Sequence, residues 1–553
     1  MSKELYSCAE QPLKVQFITD VHYYSRKCGT KGTAYKKAEA KSQKIIKDSD
    51  LVIKAGFDIL CEDTSTDIVI LSGDTTRDGE IDSHKEFIEM LRDLKKRGKR
   101  VYVITATHDF RAGGVTPGYD GDKEIQVPAA TRDMLWDMYY EFGPNEAISY
   151  HRESMSYIVQ LAPGYRLFAL NDDTNGKGEG ERGSGFSDDC MEWILEQLKD
   201  AQDNGQYVIA MTHHPMIAPS PFYAIIGKGD MQRNHETTRE IFADAGLHCM
   251  LTGHTHIHDI SVITSKKGNK FYDISCGAMI GCPPVMRNVV FDPKNKKITT
   301  DTITIKNVPG LDTGGVPFDE YMKTFFFGMI TELVEAAATD IDHLAEMTGS
   351  FSVPGEKVKK IGWLIKPIAK WLNKLTIKKI WRVCKKESGA TKAEIEKIGS
   401  RRVVDFILEL VQNLYCGDSP YTPDTAEYRI TCGVLNIVDS FLNTIGVKIG
   451  KILKGAQSVR SLVEPLLYNP GPCDAEAELE IFPIYSDENP APEQKSEPKQ
   501  DTVRKSKKGP ALLAILVLLV VLLLALIIGI IVLIAFGIKA AVTSGVVLPF
   551  LFS

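Results

Sequence analysis

The chain of 553 residues carries 66 Lys and Arg against 72 Asp and Glu, a formal net charge of −6, with 43% hydrophobic and 25% charged residues. That length exceeds one ordinary hydrophobic core and implies two or three folded units of globular composition. So mild a negative charge argues against a general nucleic-acid binder.

Eleven cysteines are scattered from Cys8 to Cys473 with no Cys-x-x-Cys pair. An odd count at irregular spacing reads as free thiols in a reducing compartment. The opening MSKELYSCAEQPLKVQFITD shows no apolar stretch of a secretory signal.

From residue 13 to 305, short β-branched runs alternate with amphipathic stretches. VQFIT (15–19), DIVILSG (67–73), RVYVITA (100–106), YRLFAL (165–170), YVIAMT (207–212) and HCMLTG (248–253) read as buried strands. AYKKAEAKSQKIIKDSD, HKEFIEMLRDLKKRG and DDCMEWILEQLKDAQDNG have helical spacing, the last with Ser187 as N-cap and Gly205 as C-cap. Such alternation predicts an α/β layer sandwich, residues 1–307. After Gly253 the pattern turns to strands alone (DISVITS, NKFYDISCGAM, RNVVFDP, KITTDTITI), a meander that completes the sheet.

Residues 308–473 read as a separate all-α domain, because long segments there are apolar at helical spacing. Within it, Lys357 to Lys386 holds eleven Lys or Arg and no acidic residue, with Trp363, Trp371 and Trp381 interleaved. A basic amphipathic stretch with tryptophan suits an anionic membrane surface; tryptophans packed inward and a nucleic-acid partner are the rivals, and no nucleic acid is expected. Residues 474–510, charged and dotted with Pro, read as a flexible linker. Ala511 to Ile538 is an uncharged run of 28 residues, long enough for a transmembrane helix, and 539–553 form a short tail. Arg504, Lys505, Lys507 and Lys508 precede that run and only Lys539 follows, so the expectation is a single-pass tail anchor with the folded mass cytoplasmic.

Five short motifs carry the chemistry: Asp20-Val-His22, Gly73-Asp74, His108-Asp109, His213-His214-Pro215 and Gly253-His254-Thr255-His256. Each follows an apolar run, at the strand end where side chains project into a crevice above a sheet. Asp20 and His22 are two apart, so in an extended segment both point to one side. Hard carboxylate oxygens and imidazoles on a rigid frame are what a metal-dependent phosphoesterase needs. His214 and His258 read as structural. Asn171, Asp172 and Asp173 read as a polar loop after a strand. NGKGEGERGSG (175–185) matches no phosphate-binding pattern and reads as a lid or plain loop. Arg111 and Arg182 are candidates to hold a phosphate.

In this order and context the motifs resemble the metal cage of the calcineurin-like metallophosphoesterases, over about residues 13–305. The resemblance implies a four-layer α/β/β/α sandwich, here followed by the all-α domain and one C-terminal transmembrane helix. By motif, Asp20, His22 and His256 would hold one metal, Asp74 would bridge, and His213 and His254 would hold the second. The cofactors implied are two divalent ions, Mn, Fe, Zn or Mg. A bridging hydroxide would attack phosphorus in line, while His108 assists the leaving oxygen and Asp109 orients its imidazole. Thr107 stands where the family has Asn, and a threonine hydroxyl is the poorer ligand. The second site is therefore expected to be present but weakened, with Thr107 acting through a water, or Asp109 or another acid substituting, as the other outcomes. The expected activity is hydrolysis of a phosphomonoester or phosphodiester on a membrane-tethered domain. The alternative is a membrane-anchored scaffold with a degenerate cage.

Overall fold

The computed structural model describes residues 6–491 except 40–41, 174–183, 222, 228, 350–354, 418–419, 447, 453–455 and 487–488. The six runs expected as buried strands all form strands, and they divide between two sheets. In the first, Leu13–Ile18, Ile68–Ser72 and Arg100–Ile104 are parallel neighbours, and Val285–Asp292 and Lys297–Thr304 add antiparallel on the far side of Leu13–Ile18. In the second, Lys270–Ser275, Cys249–Thr252, Tyr207–Met211 and Tyr165–Ala169 run parallel in that order. Asp259–Thr264 closes one edge and the pair Ser156–Ala162 and Ser149–His151 the other.

Period-two alternation sends neighbouring residues of the second sheet to opposite faces. Leu167, Ile209 and Leu251 join one buried cluster with Val15, Phe17 and Leu71 of the first sheet. That cluster continues onto Val52 and Phe57 of the helix Ser49–Glu62 and Phe87 and Leu91 of the helix Ile81–Lys96. Phe168, Ala210 and Met250 face the other way, against Ile194 and Leu198 of the helix Asp188–Asp203 and Phe242 of His235–Asp244. The result is two sheets face to face with helices on both outer surfaces. Each fully buried Leu or Phe contributes roughly 1.5 to 3 kcal/mol, enough in aggregate to fix the strand ends rigidly.

The structure departs from the sequence reading in five places. The helix expected over 34–50 stops at Glu39 and resumes at Ser49, because Ile45 N–H bonds instead to the Ile280 carbonyl at 3.0 Å. The expected meander is shared out, with Asp259–Thr264 and Lys270–Ser275 going to one sheet and the next two strands to the other. The helical region is not set apart from the α/β unit. Phe318, Met322, Phe326 and Ile330, on one stripe of the helix Phe318–Thr339, lie in the same buried cluster as Val15, Phe17 and Leu71 of the first sheet. The basic stretch forms two helices, Gly355–Leu372 and Ile377–Ser388, not one face.

The fifth departure is the expected linker. Its first residues form the strand Glu476–Glu480, which pairs antiparallel with Lys297–Thr304 and extends the first sheet to six strands. The cause is legible afterwards: Ala477, Leu479 and Ile481 alternate with glutamates, and Leu479 and Ile481 are buried. Beyond it, Tyr485 N–H donates to Asn269 Oδ1 at 2.6 Å. Residues 492–510, the apolar run 511–538 and the tail 539–553 lie outside the described residues. Among the described residues no helix is long and apolar enough to cross a membrane. All eleven cysteines are free thiols.

Candidate metal centre

The carboxyl ends of the parallel strands of both sheets converge on one buried crevice. Asp20, His22, Asp74, His213 and His256 are at most 2% exposed, and His254 is 8% exposed. Five of these six have left-handed backbone: Asp20 (φ 51°), His22 (φ 45°), Asp74 (φ 50°), His254 (φ 67°) and His256 (φ 57°). Asp20 and His22 therefore converge through two left-handed residues, not through the extended alternation expected from their spacing. Each such residue costs about 1 to 3 kcal/mol, so the packing around them must impose it. Gly73 supplies a further left-handed turn (φ 104°), and a Cβ there would meet His213 Nδ1 at 2.9 Å. At Gly253 a Cβ would sit 2.4 Å from Asp20 Oδ2, so that loop lies against the first motif only because the side chain is missing.

Two trios result. His22 Nε2 and His256 Nε2 are 3.2 Å apart, and Asp20 Oδ1 is 3.5 Å from the first and 3.3 Å from the second. His213 Nε2 lies 3.2 Å from His254 Nδ1 and 3.3 Å from Asp74 Oδ2. That same Asp74 oxygen is 3.7 Å from His22 Nε2, so it stands between the trios. Donor atoms held about 2.0 to 2.3 Å from one ion fall roughly 3 to 3.6 Å from each other, which is the spacing seen. The remaining atoms are tied down in a way that leaves these free. Asp20 Oδ2 accepts from Thr19 Oγ1 (2.8 Å) and His254 N–H (2.9 Å), while Oδ1 is buried with no hydrogen-bond partner. His213 Nδ1 donates to the Ser72 carbonyl at 2.8 Å, turning Nε2 inward. These donors fit divalent cations.

The electrostatics agree. Burial pushes the carboxyls of Asp20 and Asp74 up, yet His256 and His22 beside the first and His213 and His108 beside the second hold both well below the usual range. Burial pulls His213 down, but Asp74 overrides it and raises the imidazole to about 10. Burial lowers His22, His254 and His256. The crevice is thus a pair of fixed carboxylates asking for positive charge.

His108 lies at the edge, its ring 4.9 Å from that of His22 and its backbone N–H donating to Asp74 Oδ1 at 2.9 Å. Its Nδ1 faces two acceptors, the Arg77 carbonyl at 2.6 Å and Asp78 Oδ1 at 3.2 Å, so Nδ1 carries a proton and Nε2 points at the crevice. Asp109 does not orient this imidazole, contrary to the sequence expectation. Its Oδ1 accepts from Thr75 Oγ1 (2.6 Å) and Thr76 N–H (2.8 Å) and its Oδ2 from Ala106 N–H (2.8 Å), which knits the loop together and leaves it no reach to a metal. Asp78 is the residue that sequence reading missed, and no spacing in GDTTRD marks it. Arg111, a candidate phosphate ligand, forms an ion pair with Asp78.

Thr107 carries a buried hydroxyl oxygen with no hydrogen-bond partner. Lys44 was also missed, since its segment reads as helix. The non-helical residues 42–48 bring its ammonium within electrostatic reach of Asp74, Asp20 and His22, and burial lowers it to about 8. Asn171, Asp172 and Asp173 are not a solvated loop: all are at most 3% exposed, and Asp172 Oδ1 is 3.2 Å from His214 Nδ1. His214 in turn packs against His254, ring centroids 4.2 Å apart and planes tilted by 47°, and His258 bonds Thr302 Oγ1 at 2.8 Å. Most of the 175–185 loop, with Arg182, lies outside the described residues.

Residues 13–258 match the family described as calcineurin-like phosphoesterase. The chain is similar to a dimetal phosphatase from Danio rerio at 14% identity, covering 53% of this chain and 96% of that one, with a TM-score of 0.36. It is similar to a purple acid phosphatase from yellow lupin seeds at 13% identity, covering 55% and 53%, with a TM-score of 0.31. A third likeness is to the Haemophilus influenzae NAD nucleotidase, at 10% identity, 66% and 62% coverage and a TM-score of 0.27. No curated protein matches the sequence.

Proposed function

We propose that the chain hydrolyses phosphoester bonds with two divalent cations, one in each trio. The observation that carries this reading is the placement of Asp74 Oδ2 between His22 Nε2 and His213 Nε2, at 3.7 and 3.3 Å, which gives two ligand sets one common oxygen. Asp20, His22 and His256 would hold one ion, His213 and His254 the other, and Asp74 both. When bound, such ions supply Lewis acidity toward a phosphoryl oxygen and activate water at neutral pH.

The chain's own residues do the rest. His108 presents Nε2 to the crevice and delivers a proton to the leaving oxygen. Asp78 and the Arg77 carbonyl hold Nδ1–H, which fixes the ring. Lys44 brings a positive charge to the mouth of the cage, suited to a phosphate oxygen. Thr107 offers a hydroxyl oxygen where an amide would bind more strongly, so the ion held by His213 and His254 is the weaker one. Calorimetric titration with Mn²⁺ tests this: two classes of site are expected, and Thr107→Asn should tighten the weaker. One class at saturation with full activity would overturn the two-ion reading.

The uncharged run 511–538, preceded by four basic residues, supports a tail anchor that leaves the folded mass cytoplasmic. Membrane tethering favours a lipid-linked or membrane-proximal ester as substrate. Resistance of the full chain to alkaline extraction from membranes is the expected result; release into the soluble fraction would contradict the anchor.

A further inference from the structure

The helix Gly355–Leu372 presents an unusual surface. At 100° per residue, Lys359, Trp363, Lys366 and Lys370 fall on one line, with Lys360, Pro367 and Trp371 alongside. Trp363 is 77% exposed and Trp371 41% exposed. Indole rings are large apolar bodies that folding normally covers. This helix has no need of them for packing, since Val358, Ala369 and Leu372 already bury its other side. Trp381, in the next helix, shows the contrast: it is 7% exposed and its Nε1 donates to the Ala390 carbonyl at 3.0 Å. The tryptophans of the basic segment are therefore divided between core and surface.

The charge around the exposed pair is equally one-sided. Residues 357–386 contain eleven Lys or Arg and no acid, in a chain whose net charge is −6. Asp342 pairs with Lys359 at 2.9 Å but is 82% exposed, so that pair neutralises little; Glu356 beside Lys359 and Asp340 near Lys366 are the other acids within reach of the row of lysines.

We propose that this face docks on an anionic phospholipid leaflet, with Trp363 and Trp371 entering the headgroup region and Lys359, Lys360, Lys366 and Lys370 meeting lipid phosphates. Amphipathic helices bind such surfaces by this combination of buried aromatic area and basic charge. A second copy of the chain is disfavoured because two faces of this charge repel. A bilayer is favoured over nucleic acid because the same chain carries the 28-residue uncharged run Ala511–Ile538, which would hold this face near a leaflet. The proposal is independent of the phosphoesterase reading.

The chain has five tryptophans and none falls in 511–538, so intrinsic fluorescence reports on this face without interference from that run. The full chain is reconstituted with vesicles of brominated phosphatidylcholine, alone or with about a third phosphatidylserine. Quenching is expected with phosphatidylserine and not without it. It should be lost at 1 M salt, where the screening length falls to about 3 Å, and lost in the Trp363→Phe/Trp371→Phe variant. Neutralising each of the four lysines should weaken docking about fivefold. Circular dichroism should leave the double variant unchanged, since both positions are exposed. Equal quenching with both lipid compositions, or quenching retained in the double variant, would overturn the proposal. A response to an RNA oligonucleotide with none to vesicles would assign the face to nucleic acid instead.

Discussion

Asp20, His22, Asp74, His254 and His256 all take left-handed backbone, a conformation that costs a non-glycine residue about 1 to 3 kcal/mol. Five such costs rival the whole stability of an ordinary domain, so the surrounding strands and the tight approach at Gly253 must impose them. At this scale the meeting of these side chains in one crevice was legible from sequence, because each motif follows a recognisable buried strand. Their geometry was not, since φ is a tertiary outcome. Nor were the partners of His108: Asp109 is adjacent in sequence, yet its oxygens are spent on Thr75, Thr76 and Ala106, and the Arg77 carbonyl and Asp78 meet Nδ1 instead. His108→Ala should lower kcat by about 10²- to 10⁴-fold while bound metal stays unchanged by elemental assay. Asp78→Asn should cost less, because the Arg77 carbonyl still accepts from Nδ1. A loss in kcat equal to that of His108→Ala would contradict this division of roles.

Among the elements, the strand Glu476–Glu480 and the strap after it do the most unexpected work. Asp474 Oδ1 accepts from Ile260 N–H at 2.7 Å and its carbonyl from the wholly buried Arg287 at 2.8 Å, both close behind the last metal motif. A chain ending at Cys473 should melt roughly 5 to 15 °C below one ending at residue 491, through loss of Leu479, Ile481 and these acceptors; equal melting would refute the role. The composition of 474–508, charged and rich in Pro, hid a five-residue alternation, just as helical spacing over 34–50 hid the break that carries Lys44. In both cases a tertiary partner overrode a local pattern.

His248 belongs to the same assembly, its Nε2 donating to the Phe482 carbonyl at 3.1 Å. Burial pushes it down to about 4, against roughly 6.5 in an unfolded chain. Above pH 6.5 it is neutral in both states and its contribution is intact. As pH falls from 6.5 toward 4 the unfolded chain takes up a proton that the folded one refuses, so about 3 kcal/mol is lost over that window. His248→Gln should flatten the acid side of the stability–pH curve between those values, measured by denaturant titration.

For the whole molecule, a single buried cluster runs from the strands beneath the cage to Phe326 and Tyr415 of the helical region, and the Tyr415 carbonyl accepts from His258 N–H at 3.1 Å. The helical region thus buttresses the loop that bears His254 and His256, a relation invisible in sequence because the two are some 160 residues apart in a chain whose boundary at 308 looked like a domain break. The α/β sandwich and the convergence of the motifs followed from period-two runs and motif order; the sharing of one core did not, since buried helices and separate domains have the same apolar spacing.

The most direct test joins metal binding to chemistry in one preparation. The full chain, stripped of metal and reloaded with Mn²⁺, is assayed for bound metal and for hydrolysis of a generic phosphodiester, beside Asp74→Asn. Two ions per chain and turnover are predicted, with the variant losing both, because Asp74 is the oxygen common to the two trios. Absence of turnover with Mn²⁺, Fe²⁺, Zn²⁺ and Mg²⁺ alike, or an Asp74→Asn protein that keeps both ions and full activity, would contradict it.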